Sequence, residues 1–376
     1  MKLHYYFLPL LAFSTAASAQ PAKQDGETIV VTGSSLAKTE RALKECLARG
    51  CPPEEDINAT LAHAENLFVA GRYADARKIA KASIGRNGRH AKDHPVPVSD
   101  LYRANSRISA HLGEGGDFER STWAIKRALK AGLPENDVRI VGADLEVAGM
   151  QASLGRIESA RKTYQEVEED ARALGRGDIA AMARLRLAWL YQLDGETHTA
   201  RQRLREIADD RTPEARIARL SALILLARFD REAGRTDTAD ALLAELKAAN
   251  FRKPVLLFAP AVELPSREVG TSGSVTRLMA TENFEKVWMD VGFWVTPEGR
   301  VADVEVLRNS GRLEWAAPLL KSIAGRIYSS APEGSGEGSY RVERYSYTSL
   351  WGDRTGTRIR QRSADGRVEF LDLTAD

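Results

Sequence analysis

The sequence predicts a mainly α fold, a solenoid of helical hairpins followed by a small α+β domain. Two observations carry this prediction. A short glycine-led pattern returns five times between residues 57 and 250, and beyond Asn250 the spacing of apolar residues changes from helical to every second position. At 376 residues, 43% of them apolar, the chain can fill two separate cores.

The pattern is a glycine, any residue, a medium-sized side chain, two residues and a small one. Its matches are Gly71-Arg-Tyr73-Ala-Asp-Ala76, Gly116-Asp-Phe118-Glu-Arg-Ser121, Gly155-Arg-Ile157-Glu-Ser-Ala160, Gly195-Glu-Thr197-His-Thr-Ala200 and Gly234-Arg-Thr236-Asp-Thr-Ala239. The glycines stand 45, 39, 40 and 39 residues apart, and the register persists nine residues on at Ala80, Ile125, Tyr164, Leu204 and Leu243. Apolar residues at helical spacing precede each glycine, as at Ile57, Leu61, Ala64, Leu67 and Phe68. Each glycine is therefore expected to end one helix at positive φ, with the small residue five places on letting the next helix lie close.

The array resembles the tetratricopeptide repeat, whose second helix opens with this glycine, aromatic and alanine pattern, over roughly half of the chain. The period is nearer 40 than the usual 34, and the aromatic position becomes Thr197 and Thr236 in the last two units.

In chain order, residues 1–19 read as a secretory signal: Lys2, a short apolar run from 5 to 13, then Ala17-Ser18-Ala19 before the cut. The apolar run is shorter than the ~20 residues of a membrane span, and no later segment is longer, so no integral membrane segment is expected after cleavage. Removing Lys2 from the 54 basic residues leaves 53, against 52 acidic ones. Such neutrality argues against a nucleic-acid footprint, so no nucleic-acid partner is expected.

Residues 20–34 form an N-terminal arm that contains Glu27-Thr28-Ile29-Val30-Val31-Thr32-Gly33. A β-branched run of this kind reads as a strand seeking a sheet, and Ile29, Val30, Val31 and Thr32 are candidate partner-binding residues. The segment resembles the TonB box of TonB-dependent outer-membrane receptors, which those receptors donate as a strand to the periplasmic domain of TonB. The alternatives are an ordinary strand of the chain's own sheet or a disordered arm.

The solenoid is expected over residues 35–249. A first helix over 35–48 ends at Gly50 and Pro52-Pro53, and the two cysteines, Cys46 and Cys51, are expected to form one disulfide in an exported chain. Residues 85–99 read as a loop, whose prolines argue against a helix carrying His90 and His94 as metal ligands. Thr212-Pro213 reads as a helix start. Between 178 and 235 the array is rich in arginine interleaved with acidic residues. A mosaic of surface ion pairs is one reading; the other is a groove in which Arg184, Arg186, Arg216 and Arg219 grip a carboxylate or an acidic peptide.

Residues 250–283, with Pro254, Pro260 and Pro265, read as a linker, and 284–376 as the α+β domain. There Val287, Met289, Val291, Phe293 and Val295 alternate onto one face, Thr296-Pro-Glu-Gly299 turns the chain, and 301–307 returns antiparallel. An apolar helix with Trp315, Leu319, Leu320, Ile323 and Ile327 follows, then a strand over 340–350, then a hairpin around Asp365-Gly366. Over about 65 residues, 284–350, this order resembles the C-terminal domain of TonB-type energy transducers.

No P-loop, H-E-x-x-H or G-x-S-x-G motif occurs, and Ser35-Leu-Ala-Lys38 has the S-x-x-K form without its companion motifs. The resemblances imply a non-enzymatic protein-interaction scaffold of the periplasm, associated with TonB-dependent outer-membrane transport, with TonB or a TonB-dependent receptor as partner and with no cofactor. The alternative is a cell-envelope enzyme, or a hydrolase accessory, that carries helical repeats.

Overall fold

The computed structural model describes residues 35–234, 242, 245–246, 254–262, 287–311, 313–329, 338–353 and 360–374. The expected signal segment and Ile29, Val30, Val31 and Thr32 lie outside the described residues. Within them the architecture is a helical-hairpin solenoid followed by a small antiparallel sheet with one helix on it.

Helix α1 (Leu36–Ala48) covers the first hairpin, α2 (Pro53–Val69) with α3 (Tyr73–Asn87). It is followed by α4 (Pro95–His111) with α5 (Gly115–Gly132), α6 (Val138–Ser153) with α7 (Ile157–Ala173), and α8 (Gly177–Leu193) with α9 (Thr197–Ala208). Helix α10 (Arg216–Glu232) opens a fifth unit. Cys46 and Cys51 are bridged across the turn that joins α1 to α2, as expected. A loop this short contributes roughly 2 kcal/mol in the chain-entropy model.

The first hairpin shows why the pattern begins with glycine. Gly71 takes φ +76°, its N–H donates to the Phe68 carbonyl at 2.9 Å, and the Arg72 N–H reaches the Leu67 carbonyl at 2.8 Å. Those two bonds satisfy two of the orphan carbonyls of α2 and reverse the chain within two residues. Gly155 and Gly195 repeat the arrangement, and Ala76, Ala160 and Ala200, five places after each glycine, are fully buried where the helices meet.

The second unit corrects the sequence reading. Its helix-ending glycine is Gly113 (φ +69°), whereas Gly116 lies in the first turn of α5. The side chains keep the expected register, since Ser121, Ile125 and Ala128 are buried like their counterparts. Helix α5 therefore begins one turn earlier than the pattern implies, and part of the 45-residue interval is this extra turn. The expected loop over 85–99 is also shorter: α3 runs on to Asn87, a 3-10 turn spans Gly88–His90, and Pro95 opens α4, where its missing N–H costs nothing. Likewise α10 starts at Arg216 and not at Pro213, because the Thr212 hydroxyl donates to Asp210 (2.7 Å) and does not cap a helix.

Within the first hairpin Asp56 accepts from Arg86 at 2.7 Å. Other ion pairs tie successive units together: Arg103 meets Glu146, Arg161 meets Asp194 and Arg201 meets Asp230, each at 2.9 Å.

In the C-terminal part, β2 (Trp288–Val295), β3 (Val301–Asn309), β5 (Ser339–Asp353) and β6 (Arg360–Asp372) form an antiparallel sheet in the order β3-β2-β5-β6. Two short strands, β1 (Leu256–Phe258) and β4 (Ile327–Tyr328), pair beside it, so residues 254–262 of the expected linker join this unit. The alternation in β2 is realised fully: Val287, Met289, Val291, Phe293 and Val295 are buried under α11 (Ala317–Ala324) with Trp315, Leu319 and Ile323. Ile327, expected at the end of that helix, begins β4 instead.

The hairpin expected around Asp365-Gly366 does not form. Strand β6 runs through it and pairs with β5, Gly366 standing opposite Ser349. The glycine is needed for a close approach, since a Cβ there would collide with the Tyr347 hydroxyl.

Candidate functional site

The outer face of the sheet, opposite α11, returns to the start of the solenoid and meets the two turns that close its first hairpins. At the α2–α3 turn the Trp288 ring lies on Gly71, where a Cβ would stand 2.5 Å from Trp288 Cε2. Arg344, 0% exposed, donates through Nε to Asp290 Oδ1 (2.6 Å), through Nη2 to Asp290 Oδ2 (2.9 Å) and through Nη1 to the Phe68 carbonyl (2.9 Å). Its guanidinium also lies over the Trp288 ring at 4.2 Å. A cation is thus held at the C-terminal end of α2, where the helix dipole favours it, with a carboxylate completing the charge balance. The Tyr73 hydroxyl bonds Ser346 Oγ at 2.8 Å beside this pair, and burial pushes the phenol's pKa up.

At the α4–α5 turn the Trp351 N–H donates to the Gly113 carbonyl at 2.7 Å. Arg362 bonds the Ser349 carbonyl (2.6 Å) and the Leu112 carbonyl (3.3 Å), linking β5, β6 and α4. Between the two turns sits His111, edge-on to Phe68 with 4.8 Å between ring centroids. Its burial depresses the imidazole pKa from 6.5 to about 4; Glu369 acts in the opposite sense, while Arg107, Arg367 and Arg344 add to the depression.

Gly113 allows a sharp prediction. A Cβ there would collide with the Ser349 carbonyl oxygen, a backbone atom, whereas at Gly155 nothing lies within 4 Å. Gly155→Ala is expected to cost only the ~1 kcal/mol of a left-handed residue. Gly113→Ala should cost clearly more and selectively expose β5 amides to hydrogen exchange. Equal destabilisation by the two changes would contradict the seam.

The four arginines of the expected groove are placed as follows. Arg184 pairs with Asp210, and Arg219 meets both Glu245 (2.7 Å) and the Asp210 carbonyl (3.3 Å), so these two come together at one acidic residue. Hydrogen bonds from Thr212 and Arg184 hold the Asp210 carboxyl down to about 2. Arg186 lies against Tyr164 and Gly149, one helical pair back, and Arg216 is exposed at the start of α10. Nearby, Arg228 donates to the Leu257 carbonyl at 2.8 Å and Arg231 lies over Phe258, which fixes β1 to the last described helix of the solenoid.

The described residues that the sequence singles out for possible chemistry are placed as follows. Ser35 of the S-x-x-K sequence caps α1, its Oγ accepting from the Lys38 N–H at 3.3 Å. His90 lies in the 3-10 turn and His94 stands 3.8 Å from Glu54, on no shared helix. A shallow depression of about 380 Å³ is lined by Gln165, Glu168, Glu169, Arg172, Leu187 and Arg203, and Arg172 is already paired with Glu168 there. Among the described residues no helix is long and apolar enough to cross a membrane.

Sequence reading did not anticipate Trp288, Asp290, Arg344 or His111. The available signal was Asp290, a charge inside the apolar run Val287-Trp-Met-Asp-Val-Gly-Phe.

No family model matches the chain, and no curated protein matches it. Solved structures similar to it are helical-repeat proteins. One is a Podosopora anserina kinesin light chain protein with nearly identical TPR-like repeats, at 16% identity over 52% of this chain and 95% of that one, with a TM-score of 0.40. BtubC (BKLC) from P. vanneervenii is 18% identical over 59% of this chain and 91% of its own, with a TM-score of 0.45. A Rap protein complexed with Competence and Sporulation Factor is 13% identical over 55% of this chain and 57% of its own, with a TM-score of 0.40.

Proposed function

We propose that this chain is a non-enzymatic protein-interaction scaffold of the periplasm, associated with TonB-dependent outer-membrane transport. The observation that carries the scaffold reading is the continuous array of helical hairpins, since stacked repeats build one extended surface on which a partner can lie. The groups that would serve a catalyst are engaged elsewhere: Ser35 in a cap, Cys46 and Cys51 in a bridge, His111 in the buried seam. The bridge suits an oxidising compartment, as does the signal-like stretch at residues 1–19. The TonB association rests on two likenesses, the strand-turn-strand-helix-strand order of 284–350 and the box-like residues 27–33. TonB or a TonB-dependent receptor is the proposed partner, and the arginines at 184, 186, 216 and 219 are proposed to contact its acidic groups.

The test is to titrate the purified full chain with the periplasmic domain of TonB and, separately, with a TonB-dependent receptor, by calorimetry at two salt concentrations. Saturable binding that weakens in an Arg186→Ala, Arg216→Ala variant supports the reading. Absence of binding to both, together with turnover in a hydrolase screen of the same preparation, would replace it with the enzyme alternative.

A further inference from the structure

The outer sheet face does not end where the solenoid stops covering it. Along β2 the outward positions are Trp288, Asp290, Gly292 and Trp294, and their partners on β5 are Ser346, Arg344, Val342 and Tyr340. The first two rows are sealed against α2 and its turn. The next two are open: Trp294 is 41% exposed and Leu307 of β3 is 37% exposed, with Val342 and Tyr340 half-buried between them.

These side chains form one cluster. Trp294 and Tyr340 have ring centroids 5.2 Å apart. The Tyr340 ring leans over Gly292, where a Cβ would meet its hydroxyl and would lie 3.1 Å from Leu307 Cδ1. Tyr340 is anchored by a 3.0 Å bond to Glu305. A fixed apolar trough continuous with a buried seam is an unusual thing to leave in water. The adjoining β3 edge is a poor place to add a strand, because its pairing to β2 shifts register twice and Asp303 adopts φ +51°.

Chain geometry indicates what covers the trough. Leu36, the first residue of α1, packs in the same cluster as Trp288, in the first covered row of this face, and Leu371, in the row that borders the open part. Leu371 stands in register with Arg344, so the row of Gly292 begins two residues farther along. From the Asp290 row to Trp294 is four residues of strand, about 13 Å at ~3.3 Å per residue. By the same spacing Thr32 lies up to about 13 Å and Ile29 up to about 23 Å of chain from Leu36, the span of the trough. Ile29, Val30 and Val31 supply the apolar, β-branched surface that Trp294 and Leu307 lack.

We infer that residues 29–32 of the same chain dock on the Trp294–Tyr340–Leu307 face and extend the seam begun by Leu36. The box-like segment is then held in its own molecule, and a partner that takes it must displace it from this face. The inference concerns an intramolecular contact and stands whether or not a TonB protein binds.

The test uses the full chain with its native disulfide. Val30→Cys and Val31→Cys are each combined with Leu307→Cys, and the oxidised monomer is digested and searched for a bridge between the arm and position 307. At least one pair should bridge within the monomer, about tenfold or more faster than the same arm substitution combined with Leu193→Cys, whose side chain is 44% exposed on the solenoid. In parallel, deleting residues 20–34 should increase acrylamide quenching of tryptophan emission, and Trp294→Ala should remove that difference. No bridge, bridges only between chains, or quenching unaffected by the deletion would each overturn the inference. Failure of TonB binding would leave all three readouts in place, so the two readings fail separately.

Discussion

Replacing Arg344 with alanine is expected to lower the free energy of unfolding by about 3–5 kcal/mol, the range for breaking a buried ion pair by removing one partner. Both Arg344 and Asp290 are 0% exposed, so the change leaves a carboxylate in the interior with, among the described residues, Arg308 at 2.7 Å to balance it. It also removes one donor from the Phe68 carbonyl at the end of α2, leaving that of the Gly71 N–H. A double change, Asp290→Asn with Arg344→Met, removes both charges and should recover part of the loss, because no unpaired charge then remains buried. Denaturant unfolding followed by circular dichroism reads the loss, and hydrogen exchange at the α2–α3 turn locates it. A loss below about 1 kcal/mol for Arg344→Ala would mean that the pair is solvated and that the sheet is not seated on the first hairpin.

The second large effect is a loss of stability in mild acid. The folded pKa of His111, about 4, lies below its ordinary value of 6.5, so the unfolded chain binds the proton first. Stability is therefore fully present above pH 6.5 and falls as the pH drops through the interval to about 4, below which both states are protonated. A shift of this size corresponds to roughly 3 kcal/mol at ~1.36 kcal/mol per unit. His63, lowered by burial, adds in the same direction, while Asp100 and Asp144, raised by burial, oppose it near the acid end. The depressed carboxyls of Asp137 and Asp210, about 2, contribute losses only below the ordinary carboxylate range. Thermal unfolding between pH 7 and 4.5 should show the decline, and His111→Gln should flatten most of it whatever its own baseline. An unchanged slope in that variant would assign the acid sensitivity elsewhere.

Much of the architecture was legible in the chain itself. The glycines at 71, 155, 195 and 234 adopt the left-handed backbone their spacing implied, and the alternation from Val287 to Val295 is the buried face of β2. Cys46 and Cys51 are bridged. These features depend on neighbours a few residues away, and a local pattern records local constraints. The misreadings arose where two local meanings compete. Gly116 and Gly113 both suit a helix boundary, and Asp365-Gly366 suits a turn as well as a flat strand under Tyr347. Pro95 and Thr212-Pro213 likewise fit either a loop or a helix start.

The helical hairpins and the sheet with its apolar face could be read from the chain alone, because burial repeated at periods of 3.6 and 2 is written residue by residue, and two cysteines with no others leave one pairing to expect. That the outer face of the sheet returns to the first two hairpins, placing Arg344 on the carbonyl of Phe68 and Trp351 on that of Gly113, emerges from the packed chain alone. No periodicity announces such contacts. Arg344 and Phe68 are 276 residues apart, and a charged side chain in a strand reads as solvent-facing until the element that buries it has been placed, together with the carboxylate and the open helix end that make its burial favourable.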